Sequence, residues 1–81
     1  MVHKLKTWPV FFEHMIAGRK PFDVRINDRD FRVGDIIISQ EWDTIKADYT
    51  GREHKAKVTY VLKGMGLLPD YVALGLKEQP Q

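Results

Sequence analysis

Hydrophobic positions along the chain change period several times, and each change marks an element. Residues 3–6 are too few for a helix and run straight into Thr7-Trp8-Pro9. Proline suits a first helical turn, where its missing N–H would have no partner anyway. A short strand followed by a helix start is the expectation. From Pro9 to Ala17 the apolar residues Phe12, Met15 and Ile16 recur at three- and four-residue spacing, with Trp8 and Phe11 one turn back. That spacing predicts one amphipathic helix. Gly18 suits a left-handed cap, and Arg19-Lys20 set cations at the negative end of the helix dipole.

After Pro21 the period falls to two. Phe22, Val24 and Ile26 alternate with Asp23, Arg25 and Asn27, which predicts a strand with both charged side chains on one face. Asn27-Asp28 and Val33-Gly34-Asp35 are turn material. Ile36-Ile37-Ile38 then reads as a β-branched strand running toward Glu41 and buried on both faces. Trp42 to Gly51 has no clean period and reads as a long connection. From Arg52 to Lys63, Ala56, Val58, Tyr60 and Leu62 alternate with polar neighbours, predicting a long central strand. Gly64 to Asp70 is a glycine- and proline-containing loop, Tyr71 to Leu76 a last strand, and the end of the chain a polar tail. One helix with four strands after it argues for an α+β fold, a mainly antiparallel sheet curled into a small barrel with the helix packed on it, because curling removes exposed edges. Residues 1–78 form the single expected domain and 79–81 the tail.

Composition narrows the function classes more than it narrows the fold. At 81 residues the chain carries one core, and 43% hydrophobic with 30% charged residues is globular usage. No cysteine is present, so disulfides, thiolate zinc sites and cysteine nucleophiles are excluded. No stretch approaches the roughly 20 apolar residues of a bilayer crossing and no signal-peptide core is visible, so no membrane association and a cytoplasmic location are expected. Thirteen Lys and Arg against eleven Asp and Glu leave a net charge of +2. That balance permits nucleic-acid binding without demanding it.

The densest polar group is Gly18-Arg19-Lys20-Pro21-Phe22-Asp23-Val24-Arg25, where a glycine turn delivers a lysine and the next strand presents Asp23 and Arg25 together. In a cleft such a cluster orients a polar ligand: arginine supplies a planar donor fork, aspartate an acceptor, and lysine a mobile charge or, once desolvated, a base. The competing reading is an ion-pair network that merely closes the helix-to-strand junction. The spacing Gly18-x-Lys20-x-x-Asp23-x-Arg25 resembles the G-x-K-x-x-E-x-R motif of ASCH domains in the PUA-like superfamily, with Asp23 at the usual glutamate position. The run from His3 to Pro9, the run from Arg25 to Asp35, and Tyr49-Thr50-Gly51-Arg52-Glu53 extend the likeness to a compact phage and bacterial ASCH-like group over about His3 to Lys77.

That resemblance implies a small PUA-like β-barrel whose motif lines a cleft beside the helix and recognises RNA or a modified nucleoside. In it Lys20, Asp23 and Arg25 occupy the cleft, Lys6 and Arg52 contribute at the rim, and no cofactor or metal is needed. Arg25 and Lys20 would meet phosphate or base oxygens, and Asp23 an exocyclic amine. Some ASCH proteins hydrolyse the acetyl amide of N4-acetylcytidine with the motif lysine, a threonine at the acidic position and a later glutamate; others are ribonucleases. The enzyme alternative here makes Lys20 and Asp23 catalytic, although a carboxylate at that position is more naturally an acceptor or base than a nucleophile. DNA is an open alternative to RNA as partner.

Four further features each set a functional reading against a structural one. Trp42, Tyr49, Lys46 and Arg52 interleave aromatics with cations, suiting base stacking, a protein-partner contact or a loop folded back over the core. Trp8 either floors the ligand cleft or staples the helix onto the barrel, with a core role and one exposed edge expected. His3, His14 and His54 lack metal-ligand spacing and are expected on the surface. Gly64-Met65-Gly66 opens like a phosphate loop, but Pro69 takes the last glycine position, so it reads as a turn. Neither a Walker sequence nor an ordered Ser–His–Asp set is present.

Overall fold

Strand β1 (Val2–Thr7) alternates strictly, turning His3, Leu5 and Thr7 inward and Val2, Lys4 and Lys6 outward. The structure, a computed structural model, describes residues 1–81. Helix α1 (Pro9–Ile16) follows at once with Pro9 at its start. It buries Phe12 and Met15 but leaves Phe11 and Ile16 substantially exposed, a narrower apolar stripe than the spacing predicts. Gly18, at φ +78°, makes the left-handed turn that ends the helix, and the Arg19 and Lys20 amides both donate to the His14 carbonyl. This cap aims the chain into β2 (Phe22–Ile26).

Strands β3 (Ile36–Asp43), β4 (Asp48–Lys63) and β5 (Tyr71–Glu78) complete one sheet of order β1-β3-β4-β5-β2. Only β1 and β3 run parallel; the other three pairings are antiparallel. The α+β expectation therefore holds at the level of one helix on one curled sheet, but the sheet is a half-barrel with β1 and β2 at its two edges. In place of a backbone ladder, the Arg25 side chain spans the seam and donates through Nη2 to the Lys6 carbonyl at 2.6 Å. The core inside the curl comprises Leu5, Met15, Phe31, Ile37, Ala56, Val58, Val72, Leu74 and Leu76. No helix is long and apolar enough to cross a membrane.

Several sequence expectations need correction. Trp42 to Gly51 is not a long connection: β3 continues to Asp43, β4 begins at Asp48, and the Asp43 side chain ties the tip by accepting the Ile45 and Lys46 amides. Those two amides hold the Asp43 carboxyl below the usual carboxylate range. Ile36 and Ile38 are half-buried rather than buried on both faces. In β4 a bulge between Val58 and Tyr60 reverses the alternation, so Val61 packs on the core and Tyr60 stands 63% exposed. Gly75 pairs with Tyr60 there, and a side chain on it would press Thr59 Oγ1 at 3.0 Å. The tail also has structure, since the Gln79 amide and the Gln81 side chain bond to the Lys55 backbone.

Two of the three histidines are buried, against the surface expectation. His3 lies edge-on to Phe31 at 4.8 Å between ring centroids, with Nε2 2.9 Å from Asp35 Oδ2. An ionised carboxylate only accepts, so Nε2 carries the hydrogen. Asp35 also takes the Arg32 amide at 3.0 Å and the Met1 ammonium at 3.2 Å. Burial alone pushes the Asp35 carboxyl up, but His3, the Arg32 amide and the Met1 ammonium together hold it at about 2. His54 is buried with neither ring nitrogen hydrogen-bonded, although Nε2 comes within 3.4 Å of Glu78 Oε1.

Candidate functional site

The polarity of β2 is the reverse of what its alternation suggests for a core strand. Phe22, Val24 and Ile26 are 46–51% exposed on the outer face, while Asp23 and Arg25 turn inward. This orientation follows from β2 being an edge strand beside an unclosed seam, where an inward side chain meets a cleft in place of packed core. The cleft holds about 460 Å³ and runs along the free edge of β2 from Asp23 to Ile26, facing Lys6, Thr7 and Trp8 at the end of β1. Phe11 and Tyr71 add aromatic wall.

Asp23 is the hub of the charged group. Its Oδ1 accepts from Lys20 Nζ at 3.3 Å and its Oδ2 from Arg25 Nε at 2.6 Å, with all three side chains largely shielded from solvent. Lys20 donates a second hydrogen bond to the Phe22 carbonyl at 3.0 Å, and its ammonium sits 5.4 Å from the Phe11 ring and 5.1 Å from the Phe22 ring. Lys20 is therefore held by acceptors and aromatic faces together. Arg25 spends Nε on Asp23 and one Nη2 hydrogen on Lys6, while its Nη1 group meets no protein acceptor. What the cluster offers a ligand is chiefly donors: a fixed guanidinium fork suited to carbonyl or phosphate oxygen. The junction reading and the ligand reading of the motif thus describe the same contacts, because the network that closes the seam also presents the fork.

The remaining sequence-selected residues divide between this cleft and other places. Trp8 is 47% exposed on the cleft wall, not a core residue. Lys6 contributes its backbone carbonyl to the seam while its ammonium lies 3.8 Å over the Trp42 ring on the outer face. Arg52 lines none of the cleft. Its guanidinium reaches Glu13 at 2.9 Å and the buried Glu41 at 3.5 Å, over the Phe12 ring. Thr50 also donates to Glu41. Trp42 and Tyr49 do not fold over the core; they pack edge to face at 5.0 Å on the outer side of the β3–β4 hairpin.

Sequence reasoning did not single out Thr7, Asp28 and Tyr71, which line the cleft. Thr7 had a usable signal, since it completes the inward alternation of His3 and Leu5 and is the last inward position before the helix. Tyr71 had none, because its place depends on the pairing of Ile26 with Tyr71 across β2 and β5.

Fold and cleft together define a small α+β domain, a half-barrel whose seam is a polar, aromatic-walled cleft closed by one arginine. The chain belongs to the family described as "Domain of unknown function (DUF3850)", whose model matches residues 2–76. It is also similar to the "Uncharacterized 12.9 kDa protein in GpA 3'region" of Escherichia phage P2, with 33% identity over 73 residues. That match covers 90% of this chain and 65% of the phage protein, so the chain spans less than two thirds of its relative's length.

Proposed function

We propose that this chain is an ASCH-like domain of the PUA-like superfamily that binds RNA or a modified nucleotide in the seam cleft. The observation that carries the reading is that Asp23 and Arg25 line one aromatic-walled cleft of nucleotide size, with the Arg25 Nη1 group free of protein acceptors; Lys20, against the sequence expectation, lies outside the cleft lining and acts on it only through its bond to Asp23. Trp8 and Phe11 supply a face for a base, and Arg25 a fork for its oxygen or for phosphate. Asp23 keeps a second lone pair on each oxygen for an exocyclic amine. Binding is favoured over hydrolysis because both Lys20 contacts use it as a donor, and a base would have to give them up.

Titrating cytidine monophosphate and its N4-acetyl derivative, read by tryptophan emission, tests this directly. A base stacked on Trp8 quenches the emission, and Arg25→Ala weakens binding about tenfold or more by removing charge-assisted hydrogen bonds. A circular-dichroism spectrum matching the wild type secures the comparison. Undiminished binding in Arg25→Ala would sink the cleft assignment. Release of acetate that Lys20→Ala abolishes would move the domain to the enzyme reading.

A further inference from the structure

The outer face of the sheet assembles a cationic surface that the linear sequence scatters. Lys4 in β1 and Lys55 in β4 both pair with Ile38 of β3, on either side of it. Lys57 pairs with Ile36 on one side and directly with Lys77 of β5 on the other. All four lysines are exposed. Strand spacing of about 4.8 Å and a same-face step of about 6.8 Å confine them to a patch roughly 15 Å across.

None of the four has an ion-pair partner, and the same holds for Lys6, Lys46 and Lys63, whereas Lys20 and the arginines are engaged. Each arginine has a side-chain partner: Arg19 has His14, Arg25 has Asp23, Arg29 has Asp28, Arg32 has Asp30, and Arg52 has Glu13. Lys4, Lys55, Lys57 and Lys77 enter none of the ion pairs. The acid nearest them on this face, Glu53, is held by Gln40 Nε2 at 2.9 Å. Placing Lys57 directly opposite Lys77 costs the sheet stability, since like charges across a strand pair repel. An anion laid over the pair relieves that cost. The same face continues through Lys6, stacked on Trp42, to the half-exposed Tyr49, which provides aromatic surface next to the cations.

We infer that this face binds the sugar-phosphate backbone of a single-stranded polynucleotide, so that the domain's ligand is a chain and not a free nucleoside. The inference rests on the nucleotide reading of the cleft and deepens it. Strand β1 is shared by the two surfaces: the Lys6 carbonyl belongs to the seam and the Lys6 ammonium to the outer face. A strand with one nucleotide in the cleft has only to cross β1 to reach the lysines.

The test is anisotropy titration of labelled 12-nucleotide oligo(U) RNA and oligo(dT) DNA at several salt concentrations, with cytidine monophosphate titrated in parallel. Wild type is compared with Lys57→Gln/Lys77→Gln, which removes a repulsion and leaves the cleft untouched, and with Arg25→Ala. The double variant is expected to bind oligomers roughly tenfold more weakly at about 50 mM salt, and its slope of log affinity against log salt to shrink by about 1.4, two phosphate contacts at about 0.7 each. Its affinity for the mononucleotide stays at the wild-type value. Equal binding of the two oligomers assigns the contact to phosphate, and a preference for RNA adds the 2′-hydroxyl; both support the surface. Unchanged oligomer affinity and slope in the double variant overturn it, as does lysine-dependent binding to phosphatidylserine vesicles without oligomer binding. If the mononucleotide fails to bind and Arg25→Ala leaves oligomer binding intact while the double variant loses it, the outer face stands and the cleft reading falls alone.

Discussion

Replacing Asp35 with alanine is expected to destabilise the domain by about 3 kcal/mol, the cost of stripping a buried hydrogen-bonded carboxylate from its partners. His3 Nε2–H, in a ring buried edge-on against Phe31, and the Arg32 amide would lose their acceptor. The same carboxylate sets an acid limit on stability. Its folded pKa of about 2 lies below the ordinary 3.8, so its contribution is fully present above pH 3.8 and is lost as pH falls toward 2. The difference corresponds to about 2 kcal/mol. Urea unfolding at pH 6 and at about pH 2.5 checks both statements, because the wild type should lose stability between them and Asp35→Ala should lose markedly less. Parallel losses in the two proteins would place the acid sensitivity elsewhere.

Truncating Leu74 to alanine should cost more, about 3–5 kcal/mol, since Leu74 is fully buried and sits on the central pairing of β5 with both β2 and β4. A domain of this size has only about 4–12 kcal/mol of net stability at the usual per-residue value. The variant is therefore expected to have a urea midpoint lower by about 2–3 M and to be partly unfolded at 37 °C. Val24→Ala is the matched comparison, one residue from the Leu74 partner Asp23 on the same strand but facing outward. Its effect should stay within about 0.5 kcal/mol. Similar midpoints for the two variants would mean that β2 and β5 do not pack as described.

How much of this was readable from the sequence depends on which forces fix each part. Local forces fixed the proline start of α1, the Gly18 cap and the alternation of β1 and β2, and these are legible. The Lys20, Asp23 and Arg25 grouping was legible for the same reason, since a turn and an alternating strand bring them together within eight residues. Register is not local. The bulge that turns Tyr60 outward and the parallel pairing of β1 with β3 follow from partners farther along the chain, while β3 continues through Trp42 because a tight turn tied by Asp43 pairs it with Tyr49, which the lack of a clean period concealed. Arg52 shows the limit well: its place beside Tyr49 and Lys46 in sequence suggested the ligand rim, whereas the fold delivers it to Glu13 on the helix and Glu41 on β3. The buried histidines were equally hidden, because only the three-dimensional position of Asp35 makes His3 a satisfied interior residue.

The placement of β1 and β2 at the two sheet edges also has a kinetic side. β3, β4 and β5 are neighbours in sequence and join by short connections, so their hairpins close small loops and can form early. β1 waits for a partner 34 residues further on, Val2 with Ile36, and β2 for one 45 to 53 residues on, from Ile26 with Tyr71 to Phe22 with Gly75. Both edges are thus expected to dock after the rate-limiting step. Leu5→Ala should then mainly speed unfolding, whereas Val58→Ala should mainly slow refolding; equal slowing of refolding by both would contradict this order. Since the cleft exists only between the two late strands, it is the last part of the molecule to be made and the first to come apart, and any ligand held there would act as a brake on unfolding.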